Sequence, residues 1–355
     1  MGSRRNRSAR NLADSTLNSD LCIAESDRRQ DGIHAGAQAI HFVFFNYCLV
    51  VHSPAMGINH RRAIFEALLA VVVWGASFVA TKVALRYASP DVVVWLRFAM
   101  GMVILGAAVL AGRKFALPEK RDWPYFALLG FLGITFHQWL QSTGLVTTQA
   151  TTTGWIVASI PVFMALLGWL VLKERLLWLQ VAGILFSAFG VVLVITHGNL
   201  LLLVSGKFGT VGDFLILVSA PNWAVFSVLS RRGLQKYPAV LMMFYVMAFG
   251  WLFSSILFFA QGGLNQIGGI PWDGWAGIAF LGIFCSGLAY IFWYDALQAL
   301  PVAQTGAFLY LEPVVTVIVA AFILRERLYL ATLLGGLLIL AGVWMVNRKK
   351  TGQNN

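Results

Sequence analysis

From residue 63 to residue 347 the chain runs through long apolar stretches separated by short polar breaks. This pattern predicts ten membrane-spanning segments, at 63–86, 91–111, 123–143, 149–171, 176–196, 211–231, 239–260, 273–295, 302–323 and 328–347. Each approaches the roughly 20 apolar residues that a helix needs to cross a hydrocarbon layer. Backbone in lipid has to satisfy its own hydrogen bonds, which leaves helices or a closed barrel. Period-2 alternation is absent from these stretches, so the expected fold class is an all-α integral membrane protein.

The first sixty residues break the pattern. Residues 1–38 are rich in Arg, Ser, Asn and Asp, a composition too polar to build a core. Ile40–Val51 is apolar but too short to span a bilayer and too far in for a signal peptide. The expectation for 1–60 is a disordered or interfacial extension, with translation from Met56 as the sharper alternative. From there a basic start, MGINHRR, runs directly into the first span.

Composition agrees with the spans. Hydrophobic residues make up 59% of the 355 and charged residues 12%, against about a quarter charged in a soluble globule. The net charge of +11 does not indicate nucleic acid, because the basic residues sit in short groups between apolar runs. They read as orientation signals. Placing the amino terminus in the cytoplasm puts fourteen Lys and Arg on inside loops and ends, among them Arg61, Arg62, Arg113, Lys173, Arg232, Lys236 and Arg348. Four lie outside: Arg86, Lys207, Arg325 and Arg327. Positive residues mark the cytoplasmic face, so both termini are expected there, in a cell inner membrane. The residues 348–355 form a basic cytoplasmic tail. Cys22, Cys48 and Cys285 have no metal-ligand or CxxC spacing, and neither a metal nor a cofactor is expected.

The chain also repeats itself. Shifting residues 123–194 by 152 superimposes Trp123 on Trp275, Gly130 on Gly282 and Thr153-Gly154 on Thr305-Gly306. In the same register Pro161-Val162 meets Pro313-Val314, Glu174-Arg175 meets Glu326-Arg327, Gly183 meets Gly335 and Gly190 meets Gly342. Trp74 pairs with Trp223 at a shift of 149. Two five-span repeats are expected, 63–197 and 211–347. Five is odd, so the second must enter the membrane upside-down, the arrangement of secondary transporters with a site between the halves.

These residues resemble the drug/metabolite transporter superfamily, in its ten-span EamA-type branch. The likeness covers about 63–347: WGASFVATK in the first span, Arg97 in WLRFAM, SIPVF and KERL around the fourth, GDFLILVSAPNWAVFSVLSRR as the sixth, LEPVV and RERL around the ninth. Lys173 and Arg325 depart from the usual Gly before the closing Glu. The resemblance implies coupled export of small metabolites or amino acids across the inner membrane.

Candidate residues follow from cost in lipid. Pro161 and Pro313, at matched positions, are expected to kink their helices and free a carbonyl. Glu312 lies about seven residues, roughly 10 Å, into its span, where an ionised carboxylate is costly and a proton is readily taken up. It is the candidate for proton coupling; its alternative is a protonated group bonding a neighbouring helix. Arg97 could hold a substrate carboxylate, snorkel or join a structural ion pair. Lys82, nearer its span end, reads as snorkelling. His137, Gln138 and Gln141 share the third span; His137 reads as a ligand, a proton relay or an interhelical bond. Trp74, Trp223, Tyr290, Tyr294 and Tyr310, with the polar Ser77, Thr153 and Asn222, complete the expected substrate-binding set. Interfacial belts are the alternative for the aromatics. Asp213 is expected to cap its span. Glu174 and Glu326 read as surface pairs or helix-end anchors. Gly183, Gly190, Gly335 and Gly342 allow a close helix approach, within the chain or in a homodimer. The expected partners are a small-molecule substrate and the lipid bilayer. No HExxH or DxxxD pattern marks an enzyme; a non-transporting receptor or scaffold stays open as the other reading.

Overall fold

The computed structural model describes residues 60–113, 115–172, 176–204, 209–300 and 308–347, and no strand occurs among them. The expected extension, except His60, and the tail 348–355 lie outside the described residues, as does Glu174.

The first half of the chain opens with α1 (His60–Ala84) and α2 (Pro90–Ala111). Pro90 and Asp91 occupy the first turn of α2. There a missing N–H costs nothing and a carboxylate meets the positive end of the helix dipole. The next helical run is α3 (Trp123–Gly130), a π-helical stretch Phe131–Phe136, and α4 (His137–Thr147). Then come α5 (Ala150–Val157), α6 (Ile160–Leu172) and α7 (Trp178–Ile195), followed by the single turn α8 (Leu201–Val204).

The second half begins with α9 (Val211–Lys236), capped as expected. Thr210 Oγ1 accepts from Asp213 N at 3.2 Å, and Asp213 Oδ2 accepts from Thr210 N at 2.6 Å. It continues through α10 (Ala239–Ala260) and the short α11 (Gly263–Ile267) to α12 (Trp272–Ala279). A π-helical stretch Phe280–Leu288 links α12 to α13 (Ala289–Ala299). A 3₁₀ turn at Leu309–Leu311 leads into α14 (Glu312–Val319), a π-helical end Ala320–Leu324, and finally α15 (Leu330–Asn347).

Among the described residues, eight stretches are long and apolar enough to cross a membrane: His60–Ala84, Pro90–Ala111, Ala150–Leu167, Trp178–Ile195, Val211–Lys236, Ala239–Ala260, Trp272–Leu297 and Leu330–Asn347. The expected span at 123–143 is helical but is not among them, because His137, Gln138 and Gln141 dilute its apolar character. Of the expected span at 302–323, residues 302–307 are undescribed, and Leu309–Leu324 is a shorter apolar helix. Phe65, Val103, Leu185, Ile256 and Phe322 are exposed, an apolar exterior suited to lipid. Trp178 and Trp272 are exposed at the starts of their helices, where an indole suits the membrane interface.

Each matched proline begins a new helix. α5 ends at Val157, and Pro161 is the second residue of α6; the 3₁₀ turn ends at Leu311, and Pro313 is the second residue of α14. A proline in a first turn removes an N–H that has no intrahelical partner anyway, so the chain breaks before the ring rather than bending around it. Near the breaks, hydroxyls take up carbonyls: Ser159 Oγ donates to Ile156 O at 2.6 Å, and Thr316 Oγ1 lies 2.8 Å from Gly75 O and 2.9 Å from Glu312 O.

The matched glycines put backbone on backbone between α7 and α15. A Cβ added to Gly183 would lie 2.6 Å from Gly342 O, and one on Gly342 would run into Gly183 O. Likewise a Cβ on Gly190 would lie 2.5 Å from Gly335 O, and one on Gly335 2.7 Å from Gly190 O.

Candidate functional site

Away from that seam, side chains from α1, α2, α4, α9 and the Phe280–Leu288 stretch meet around a buried cation. Arg97 on α2 is 5% exposed. Its Nε donates to Ser286 Oγ and its Nη1 to Gln138 Oε1, each at 3.1 Å. The guanidinium also lies 5.0 Å from the Phe98 ring centroid. Five N–H donors are available to an arginine, and both partners named are neutral. Among the described residues no carboxylate lies within ion-pair distance of Arg97. A charge held in a low-dielectric interior without a counter-ion is costly, so this cation is suited to an anionic group from outside the fold.

Aromatic rings flank it. Trp74 Nε1 donates to Cys285 O at 3.1 Å, and the Trp74 ring meets Tyr290 edge-on with centroids 5.6 Å apart. Trp293 is 5.3 Å from Trp74. Tyr294 stacks on Tyr290 at 6.3 Å. On the other side of Gln138, His137 lies against Trp223 at 4.6 Å, and its Nδ1 is buried with no hydrogen-bond partner. Of the expected set, Trp74, Arg97, His137, Gln138, Trp223, Tyr290 and Tyr294 thus come together.

The remaining expected residues have local partners. Asn222 Nδ2 donates to Leu132 O at 2.9 Å, taking up a carbonyl inside the π-helical stretch 131–136. Thr153 Oγ1 bonds Gln149 O of its own turn at 3.0 Å. Gln141 is buried one turn beyond His137, and Ser77 is half-buried, its carbonyl accepting from Thr81 Oγ1 at 2.8 Å. Tyr310 is taken up elsewhere: Asn347 Nδ2 donates to its hydroxyl at 2.6 Å, at the end of α15. Glu312 stands at the start of α14 with its carbonyl against Gly75, next to Trp74. No described hydrogen bond or ion pair engages its carboxyl group.

Two features were not anticipated, and a third was anticipated only in part. The π-helical stretches 131–136 and 280–288 overlap under the 152-residue shift, and they immediately precede His137 or contain Ser286. A π-turn re-aims the side chains that follow it and often marks a working site. Lys82 does not snorkel: its Nζ donates to the carbonyls of Leu145, at 3.1 Å, and Thr148. Glu326 anchors a helix end, but that of a different span, accepting from Ala150 N at 2.8 Å and Thr151 N at 3.0 Å.

The EamA-like transporter family model matches residues 61–196 and again 210–348. The chain belongs to that family. It is a multi-pass membrane protein of a transporter kind, which implies a small-molecule substrate and a bilayer around the helices. It is 30% identical over 282 residues to an uncharacterized transporter of Archaeoglobus fulgidus, covering 79% of this chain and 96% of the relative. It is 29% identical over 294 residues to a protein of Streptantibioticus cattleyicolor named "Probable terminal-alkyne amino-acid exporter", covering 82% and 95%. A crystal structure 22% identical shares the fold with a TM-score of 0.58, over 80% of this chain and 95% of the other. Within the EamA-like frame, the Arg97 cluster draws on both matched segments: α1, α2 and α4 from the first, α9 and the 280–294 region from the second.

Proposed function

We propose that the protein is a proton-coupled exporter of small metabolites or amino acids across the inner membrane. It has ten spans in two inverted repeats, 63–197 and 211–347, and both termini face the cytoplasm. The reciprocal glycine contacts support the inversion. Gly183 and Gly335 are repeat mates, as are Gly190 and Gly342, and each meets the mate of the other. Antiparallel mates that exchange contacts in this way lie about a twofold axis in the membrane plane.

The observation that carries the reading is the buried Arg97, bonded only to Gln138 and Ser286 among the described residues. In a transporter interior, such a cation binds a substrate carboxylate through its fork of donors. Trp74, Trp223, Tyr290 and Tyr294 receive the rest of the solute, with His137, Gln138 and Gln141 as polar contacts. Glu312 takes up and releases the coupling proton, alternately exposed as the helices broken before Pro161 and Pro313 move. The Streptantibioticus relative bears the name of an amino-acid exporter, and a solute with a carboxylate fits this chemistry.

Proteoliposomes loaded with a panel of carboxylate-bearing metabolites test it. Efflux of one or more, lost when the proton gradient is collapsed, is the expected result. Efflux that persists without any gradient would remove the coupling, and absence of flux for every solute would remove the transporter reading.

A further inference from the structure

Lys82 and Glu326 meet the chain where α4 gives way to α5. Thr148 and Gln149 are extended there, which leaves the last carbonyls of α4 and the first N–H groups of α5 without helical partners. Lys82, from α1, donates to the carbonyls of Leu145 and Thr148. Glu326, just beyond the Ala320–Leu324 turn, receives the N–H groups of Ala150 and Thr151, one on each carboxylate oxygen. A cation thus meets the negative end of one helix and an anion the positive end of the next. Neither charge comes from the helices it caps.

A third element joins them. Thr148 Oγ1 donates to Asp213 Oδ1 at 2.9 Å and lies 3.1 Å from Thr210 Oγ1, both at the start of α9. Gly212 N donates to Thr147 Oγ1 at 3.1 Å, and a Cβ on Gly212 would strike Gly144 O and the hydroxyls of Thr147 and Thr148. Three segments distant in sequence are drawn onto one turn by hydrogen bonds to its main chain and to Thr147 and Thr148.

At the other end, the residues that match Thr148 and Asp213 are apolar. Under the repeat shifts, Leu300 stands where Thr148 does and Ile64 where Asp213 does. Leu300 is buried in an apolar cluster with Ala63, Ala67 and Ala296, against which Ile64 and Phe308 pack. At the 148–151 turn, by contrast, charge-assisted bonds from Lys82 and Glu326 reach the main chain.

We propose that Lys82 and Glu326 are gate residues. They hold shut the end of the bundle that faces outside in the orientation proposed above, and they give up their main-chain partners to water when that end opens. Their bonds bias the protein toward the conformation closed outside and open inside. This rests on the alternating-access reading of the previous subsection.

The test reads which side opens. Thr152→Cys places a reporter on α5 one residue beyond the Glu326 cap, at a side chain that is 1% exposed. Cys22, Cys48 and Cys285 are replaced by Ser, and a membrane-impermeant maleimide is applied to vesicles of each orientation. With Lys82 and Glu326 intact, labelling from outside should be slow. Glu326→Gln and Lys82→Met should each raise it roughly tenfold, the population shift that goes with losing a charge-assisted bond, while Lys82→Arg keeps it slow. If Glu326→Gln fails to fold, Thr148→Val should raise outside labelling by a smaller factor. Outside labelling unchanged by every variant, or raised only from inside, would overturn the gate. Labelling that shifts as expected in a protein with no measurable flux would instead sink the exporter reading and leave the gate standing.

Discussion

The α7–α15 seam and the Arg97 cluster both join the first half of the chain to the second, by opposite means. At the seam, Gly183, Gly190, Gly335 and Gly342 bring backbone onto backbone with no space for one added carbon. Dispersion over such a surface holds helices in lipid, where apolar burial between helices gains little. In the cluster, Arg97 has only neutral partners among the described residues, and the buried Nδ1 of His137 has none. The seam is saturated and can only be damaged. The cluster keeps unspent bonding capacity in the membrane interior, where such capacity is costly, and that is the property expected of a site that awaits a ligand.

The largest effect should come from crowding the seam. Gly183→Val or Gly342→Val drives a branched side chain into a carbonyl, an overpacking cost of about 3 kcal/mol or more. The yield and melting temperature of detergent-solubilised protein should fall sharply; an unchanged melting curve would break the contrast. Arg97→Ala should instead leave melting nearly intact and lower efflux by roughly 100-fold, the scale of two charge-assisted bonds to a solute. Arg97→Lys should recover little of it, because an ammonium cannot form the planar fork. If efflux survives Arg97→Ala, the cation is structural.

Glu312→Gln sharpens the assignment within the site. Gradient-driven efflux should fall about tenfold and lose its pH dependence, while solute exchange without a gradient continues. Equal loss of both would make Glu312 a packing residue of α14.

The smallest effect belongs to an ion network at the helix ends. Asp122 Oδ2 accepts from Lys236 Nζ and from Tyr237 Oη, each at 2.5 Å. These bonds, the Lys236 one foremost, hold the Asp122 carboxyl below its ordinary range. A depressed carboxylate stabilises the fold at any pH above its unfolded value of about 3.9, and the gain is lost as pH falls through the folded value. Melting temperature should therefore drop on acidification below about pH 4, and Asp122→Asn should flatten that drop.

Which features were legible in advance follows from how local their causes are. The glycine faces and the capping role of Asp213 were readable, because backbone chemistry within a few residues decides each; the matched prolines read as kinks, yet the helices break before them. The π-helical stretches were not, since one extra residue per turn barely disturbs an apolar run. Asn222 read as facing the site, yet its amide is spent on Leu132 O, a carbonyl in such a stretch. Tyr310 read as a member of the aromatic group, yet its hydroxyl is bonded to Asn347, the last residue of α15.

By itself the sequence determined the membrane class, the helical character of the spans, the positions where helices break and the repetition of one half in the other. All of these follow from transfer cost and backbone chemistry, which act over one or two turns. Only the tertiary structure decided the partners of the few charges placed in lipid. Lys82 and Glu326 found a helix turn more than sixty residues away, and Arg97 found two neutral oxygens. A charge in a low-dielectric interior bonds whatever dipole the fold brings within reach, and that reach is a property of the assembled bundle.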